Sequence, residues 1–236
     1  FRSNNNNNNK GRKMKKITIA LVMLLGSFSM ASAELGVNLG VSGQIGVFEA
    51  TAVEHEGSTT AASRERSGKD DVMGAFGYGS IFIEKTLGRF AIGVDYVPDG
   101  LESDTSSTTR PDVTTKAAGA STDVINKVQV AFEDITTIYA NVMVTDNFYL
   151  TAGMINVQIK TKESLGTGST YGDTDLDGSV LGFGYHYAMD NGMFVRAAAN
   201  VIEFDGTTME SANKENMIVL DQLNGASGKI SIGKTF

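Results

Sequence analysis

In Leu35-Gly36-Val37-Asn38-Leu39-Gly40-Val41-Ser42 every odd position is apolar and every even position is small or polar. Successive side chains of an extended strand point to opposite faces, so a period of two means one face in an apolar environment and one in a polar one. The pattern runs on to Ile45 and Val47 and recurs along the chain. Phe90, Ile92, Val94 and Tyr96 oppose Arg89, Ala91, Gly93 and Asp95. Ile138, Ala140, Val142 and Val144 oppose Tyr139, Asn141 and Met143. Leu181, Phe183, Tyr185 and Tyr187 oppose Gly182, Gly184 and His186. Val195, Ala197, Ala199 and Val201 oppose Arg196, Ala198 and Asn200, with Phe194 a misfit on the polar side. A further strand is expected over residues 72–85, with Phe76, Tyr78 and Phe82 on one face, and the last over residues 227–236. Residues 148–160 are apolar on both faces, and the pattern assigns them no phase.

The connections between these strands alternate in length. Three are tight, at residues 86–89, 145–147 and 189–192, the last carrying the hairpin pair Asn191-Gly192. Four are long and polar, at residues 50–71, 98–123, 161–178 and 205–226. Eight strands joined in this way predict an all-β, closed, antiparallel up-and-down barrel with both ends of the chain on the short-turn side. A strand of ~10 residues tilted ~45° covers roughly the height of a membrane's apolar band.

The beginning of the chain predicts export. Met14-Lys15-Lys16 is basic, residues 17–30 form an apolar run of fourteen, and Ala31-Ser32-Ala33 supplies small residues for cleavage. A membrane-spanning helix needs ~20 apolar residues, so this run has the length and flanks of a signal peptide. Residues 14–33 are therefore assigned to the signal and residues 34–236 to one barrel domain. Residues 1–13, which include the Asn4–Asn9 homopolymer, are read as non-native or untranslated leader.

The first 33 residues hold six Lys and Arg and no acid, which leaves 14 bases against 27 acids and a net charge of −13 beyond them. So acidic a chain offers no basic face to nucleic acid phosphates. With no Cys there is no disulfide framework and no thiolate metal site.

Alternation alone does not say which face meets lipid, since a soluble barrel has the same period with its apolar face inward. The export signal favours apolar outside. So does the opposite face, which carries Asp95, Asn141, His186, Arg196, Asn200 and Lys229. A closed lumen pairs such groups, whereas lipid does not solvate them. Arg196 and Asp95 are the expected ion pair. Aromatic residues near the strand ends predict two interfacial girdles: Phe82, Phe90, Phe148, Tyr187 and Phe236 at the short turns, and Phe48, Tyr96, Phe132 and Phe204 at the long loops.

Together, the signal and the closing alternation resemble the eight-stranded Gram-negative outer-membrane barrel family that includes the OmpA transmembrane domain, OmpX and the opacity-type proteins. The resemblance implies short periplasmic turns, four long outer loops, a monomer embedded in outer-membrane lipid, and delivery by the barrel-assembly machinery. It also implies that Ile230, Ile232 and Phe236 form the assembly signal. Lys234 departs from that signal, standing where an apolar residue is usual.

Candidate chemistry is sparse. Asp173, Asp175 and Asp177, followed by Gly178, match the first half of a calcium loop, but Gly184 stands where that loop needs Glu. Calcium is thus a weak expectation and no other cofactor is expected. His55 near Ser58 makes only a polar loop, and no nucleophile elbow, metal-His cluster or phosphate loop is present. The functional expectation is a non-enzymatic outer-membrane protein with a structural or surface-interaction role, its extracellular partner unspecified. A narrow porin-like channel is the second reading and a lipid-A-modifying enzyme the third.

Overall fold

The computed structural model describes residues 36–56, 65–103, 105–111, 123–164, 170–214 and 216–236. The leader, the signal segment and its cleavage residues Ala31 and Ala33 lie outside the described residues, as do parts of the long connections, Ser58 among them.

Eleven strands are described: β1 (Val37–Glu56), β2 (Glu65–Leu87), β3 (Phe90–Tyr96), β4 (Leu101–Glu102), β5 (Ser106–Pro111), β6 (Asp123–Met143), β7 (Phe148–Ser164), β8 (Thr174–Ala188), β9 (Met193–Phe204), β10 (Thr207–Glu210) and β11 (Met217–Thr235). Eight of them form the wall, each antiparallel to the next, in the order β1-β2-β3-β6-β7-β8-β9-β11. β11 pairs back with β1 from Asn38↔Thr235 to His55↔Met217, which closes the ring. Below that ladder Val37 and Phe236 exchange backbone hydrogen bonds of 2.9 and 3.3 Å. Closure pairs the two outermost strands, β1 and β11, which a flat sheet would leave as open edges.

The long connections differ from expectation. Much of residues 50–71, 161–178 and 205–226 is strand, because β1, β2, β7, β8 and β11 continue past the barrel as paired ladders. Above the barrel apolar and polar residues do not alternate regularly, so no period of two marks the strand although its backbone bonds persist. The short connections are as expected. Gly192 has φ +79° in the β8–β9 turn, a conformation that a side chain disfavours.

The wall is apolar outside and polar inside. Ile45, Leu181, Phe183 and Val201 are more than 60% exposed on the outer face, while Asn38, Ser42, Gln44, Asn141, Ser227 and Ser231 are buried inside. The unphased strand is β7. Leu150 and Met154 face outward, and Ile155, Val157 and Ile159 are buried within, so both of its faces are apolar.

The girdle assignments are corrected in part. Phe90, Phe148, Tyr187 and Phe236 lie exposed on the outer face at the short-turn end, and Tyr96 shares that outer phase. Phe82 does not, being buried in the lumen against Phe194. Phe48 and Phe132 also turn inward, where Phe76 packs edge-on between them, and Phe204 packs against the interior apolar cluster. Glycine on neighbouring strands creates the room for these rings. A Cβ on Gly225 would come within 2.3 Å of Phe48, and one on Gly233 within 2.3 Å of Phe194. Phe194, the misfit of the polar phase, is therefore a buried lumen residue at 1% exposure.

Candidate functional site

The lumen has two halves of opposite chemistry. Towards the short turns it is filled by a hydrogen-bonded network centred on Glu84, whose side chain is wholly buried. Arg196 on β9 donates to both carboxylate oxygens, Nη1 to Oε2 at 2.9 Å and Nη2 to Oε1 at 2.8 Å. Asn38 on β1 donates to Oε1 at 2.7 Å, and Asn141 on β6 donates to Oε2 at 2.9 Å. The Tyr139 hydroxyl adds a longer bond of 3.3 Å to Oε2. A buried carboxylate is tolerated where a bidentate guanidinium and neutral donors replace its water.

An outer tier holds these partners in place. Thr151 donates to Asn141 Oδ1 and Thr235 donates to Asn38 Oδ1. Arg196 Nε donates to His186 Nδ1 at 2.9 Å, which requires that nitrogen to carry its lone pair. The guanidinium carbon lies 4.6 Å from the Phe194 ring centre, with the Tyr149 ring 5.7 Å away, close enough for cation–π attraction.

A second pair stands higher in the lumen, Lys229 Nζ to Asp95 Oδ2 at 2.5 Å. The expected Arg196–Asp95 pair is thus replaced by two others, Arg196–Glu84 and Asp95–Lys229. The reason is register. Asp95 is opposite Phe82 on β2, so Glu84 lies two residues nearer the short turns, where it meets Arg196. Of the expected lumen residues, Asn141, His186 and Arg196 join the Glu84 network. Lys229 and Asp95 pair together, and Asn200 packs over Gly182, where an added Cβ would sit 2.2 Å from its Oδ1. Glu84 was missed because it stands beside a turn and its strand was phased by aromatic residues. Its signal is parity, since Glu84 shares the even phase of Ser80 and Phe82.

Above Asp95–Lys229 the lumen turns apolar. Val97, Ile135, Ile155, Val157, Ile202 and Leu223 belong to one buried cluster. A cavity of about 730 Å³ runs through this half, bounded also by the Phe48, Phe132 and Phe204 rings. The polar half encloses only about 70 Å³, room for a water or two.

The calcium candidates do not form a loop. Asp175 and Asp177 are drawn into β8, and with Asp173 just before it they occupy one face at alternate positions. Extended backbone places such side chains roughly 7 Å apart, too far to share one ion. Asp177 accepts from Asn156 at 2.8 Å instead. Among the described residues no group of three acidic or His side chains converges on a metal position.

Ile230, Ile232 and Phe236 all lie exposed on the outer face. Lys234 shares that face, with its ammonium 5.3 Å from the Phe236 ring centre, so the charge that breaks the alternation is seated on an aromatic face.

The fold and its inverted wall define a closed, eight-stranded, transmembrane-type β-barrel. No protein-family model matches the chain, and no curated protein matches it by sequence. Solved structures with similarity include the attachment invasion locus protein of Yersinia pestis, at 10% identity and a TM-score of 0.37, covering 84% of this chain and 99% of that one. The outer-membrane protease OmpT of Escherichia coli aligns at 8% identity and a TM-score of 0.43, covering 88% and 99%. OprG of Pseudomonas aeruginosa, an outer-membrane protein, aligns at 8% identity and a TM-score of 0.44, covering 84% and 95%.

Proposed function

We propose that the chain is a monomeric outer-membrane protein with a structural or surface-interaction role, its short turns periplasmic and its long hairpins outside the cell. The observation that carries this reading is the inverted wall. A water-soluble barrel buries its apolar face, whereas here Val41, Ile45, Leu150, Leu181 and Val201 are exposed outside and Glu84 and Asn141 are buried within. Lipid is the solvent that makes this arrangement favourable.

A structural role is favoured over a passive channel by the Glu84 network, which spans the lumen and leaves about 70 Å³ beside it. Eight-stranded barrels have interiors just wide enough for side chains to fill. A non-enzymatic role is favoured over lipid modification by the engagement of His186, whose ring accepts from Arg196 and packs against Phe194.

The test is gel migration of membrane-extracted protein with and without heating, combined with protease treatment of intact cells. A faster band that is lost on boiling, with cleavage confined to the long hairpins, is expected. A single heat-insensitive band, or cleavage only after the periplasm is opened, would sink the reading.

A further inference from the structure

Among the described residues the ring has an incomplete seam beside β2. β2 is bonded to β3 only from Ile81↔Tyr96 to Leu87↔Phe90. Beyond Tyr96 the neighbouring chain turns away, since Val97 bonds to Ile135 and then β4 and β5 pair with β6 alone. Pro98 cannot donate to a ladder, and Gly100 lies so close to β6 that a Cβ would sit 3.0 Å from the Phe132 carbonyl oxygen. Opposite this bend β6 carries its own irregularity, Asp134 at φ +53° within a register shift. Among the described residues, no ladder joins β2 to β4 or β5.

This seam is at membrane height. Ala75 and Gly77 stand in register with Val47 and Ile45, both exposed in the apolar belt. Among the described residues the β2 edge has no ladder partner here, and such an edge at membrane depth is tolerated where it lines a cavity that water reaches. Here it lines the 730 Å³ cavity, which is bounded by Met73–Phe76 on one lip and by Leu101 and Glu102 on the other.

We propose that this cavity binds one uncharged, hydrocarbon-like molecule and exchanges it with the membrane through the β2–β4 seam. The volume and aromatic-aliphatic lining suit a small apolar ligand. Its neutrality follows from the charges nearby. Glu84 and Asp95 are held by Arg196 and Lys229, and Glu102 at the lip is held by Lys162 and Gln129. No counter-charge is left for an ionic head group among these residues. The inference rests on the membrane placement proposed above.

The chain contains no Trp and no Cys, so an introduced reporter stands alone. The full chain, refolded into phosphatidylcholine vesicles, is titrated with 1-bromododecane, which quenches Trp on contact. Phe132→Trp reports on the cavity and Phe183→Trp on the outer belt, with Phe204→Trp as a second cavity reporter if the first does not fold. Saturable quenching of the cavity reporter is expected at a mole fraction at least tenfold below that needed for Phe183→Trp. Equal, non-saturating quenching of both would overturn the proposal. On the cavity-reporter background Ala50→Phe should abolish the saturable phase, and its persistence would overturn the site. Linking Ala75→Cys to Glu102→Cys with a bismaleimide should slow uptake at least tenfold without changing its end point, and an unchanged rate would overturn the route. Heat-modifiable migration of each variant reports membrane insertion separately, so loss of that reading is distinguishable from absence of ligand.

Discussion

Arg196 and Glu84, 112 residues apart in the chain, meet across the lumen through two parallel hydrogen bonds of 2.8 and 2.9 Å. With the Glu84 side chain wholly buried and that of Arg196 at 11% exposure, each is the other's main replacement for water. Removing one partner leaves the other charge uncompensated. Arg196→Met or Glu84→Gln should each lower stability by ~3–5 kcal/mol in urea unfolding of the refolded barrel. A double-mutant cycle should show strong coupling for Arg196 with Glu84 and additivity within ~0.5 kcal/mol for Arg196 with Asp95.

The same network predicts electrical behaviour. In planar bilayers the native barrel should show no steady ion conductance, because the polar half of the lumen is filled. The double variant Glu84→Ala, Arg196→Ala should admit water and ions and give measurable conductance. A steady conductance in the native protein, unchanged in the variant, would count against a closed floor.

Glycines on the two faces of the wall should respond in opposite ways. Gly233→Ala places a methyl within 2.3 Å of Phe194, and Gly184→Ala one within 2.3 Å of Tyr149. Overpacking of this kind costs ~1–3 kcal/mol. Gly228 has nothing within 4 Å of an added Cβ, so Gly228→Ala should stay within ~0.5 kcal/mol of the native protein. Urea midpoints of the three variants make the comparison.

Lys234 should be replaceable by Arg and less so by Ala. Its ammonium faces the Phe236 ring at 5.3 Å, a contact worth ~0.5–1 kcal/mol at an exposed site. Lys234→Arg retains that attraction, and Phe236→Leu should remove the difference between Lys and Ala at position 234. Unfolding of the four combinations measures it.

How much of this was legible in the sequence varied with the environment of each face. Where one strand face met lipid and the other the polar half of the lumen, as in Leu181–Tyr187 against Gly182–His186, alternation gave strand, phase and orientation together. It failed for Ile155, Val157 and Ile159, because an apolar interior opposite an apolar exterior leaves no contrast to read. It failed above the barrel, where Val53 is buried but its neighbours Thr51 and Ala52 are alike half-exposed, so no apolar period stands out. Aromatic residues misled for Phe82, Phe48, Phe132 and Phe204; the rings of Phe82, Phe48 and Phe204 lie over glycines of neighbouring strands, and that of Phe132 packs on Phe76. The polar phase names Asn141, His186 and Arg196 but not Glu84, the residue they surround, and it does not give the pairs. Whether Arg196 meets Asp95 or Glu84 depends on strand stagger around the ring, which no single strand encodes.

The Glu84 network also bears on the order of folding. Its members come from every wall strand except β3, and its edge includes the Thr235–Asn38 bond, made across 197 residues. Joining segments so distant in the chain is entropically slow, so the β1–β11 ladder is the natural last event. Until that event Glu84 has Asn38, its cross-strand neighbour on β1, but the half-formed sheet does not hold Arg196 across the lumen, and the carboxylate stays open to water. A curved but unclosed sheet therefore gains little from entering hydrocarbon, where its charge would be stranded. The buried carboxylate makes insertion conditional on completion, so that assembly proceeds as a single cooperative act rather than strand by strand.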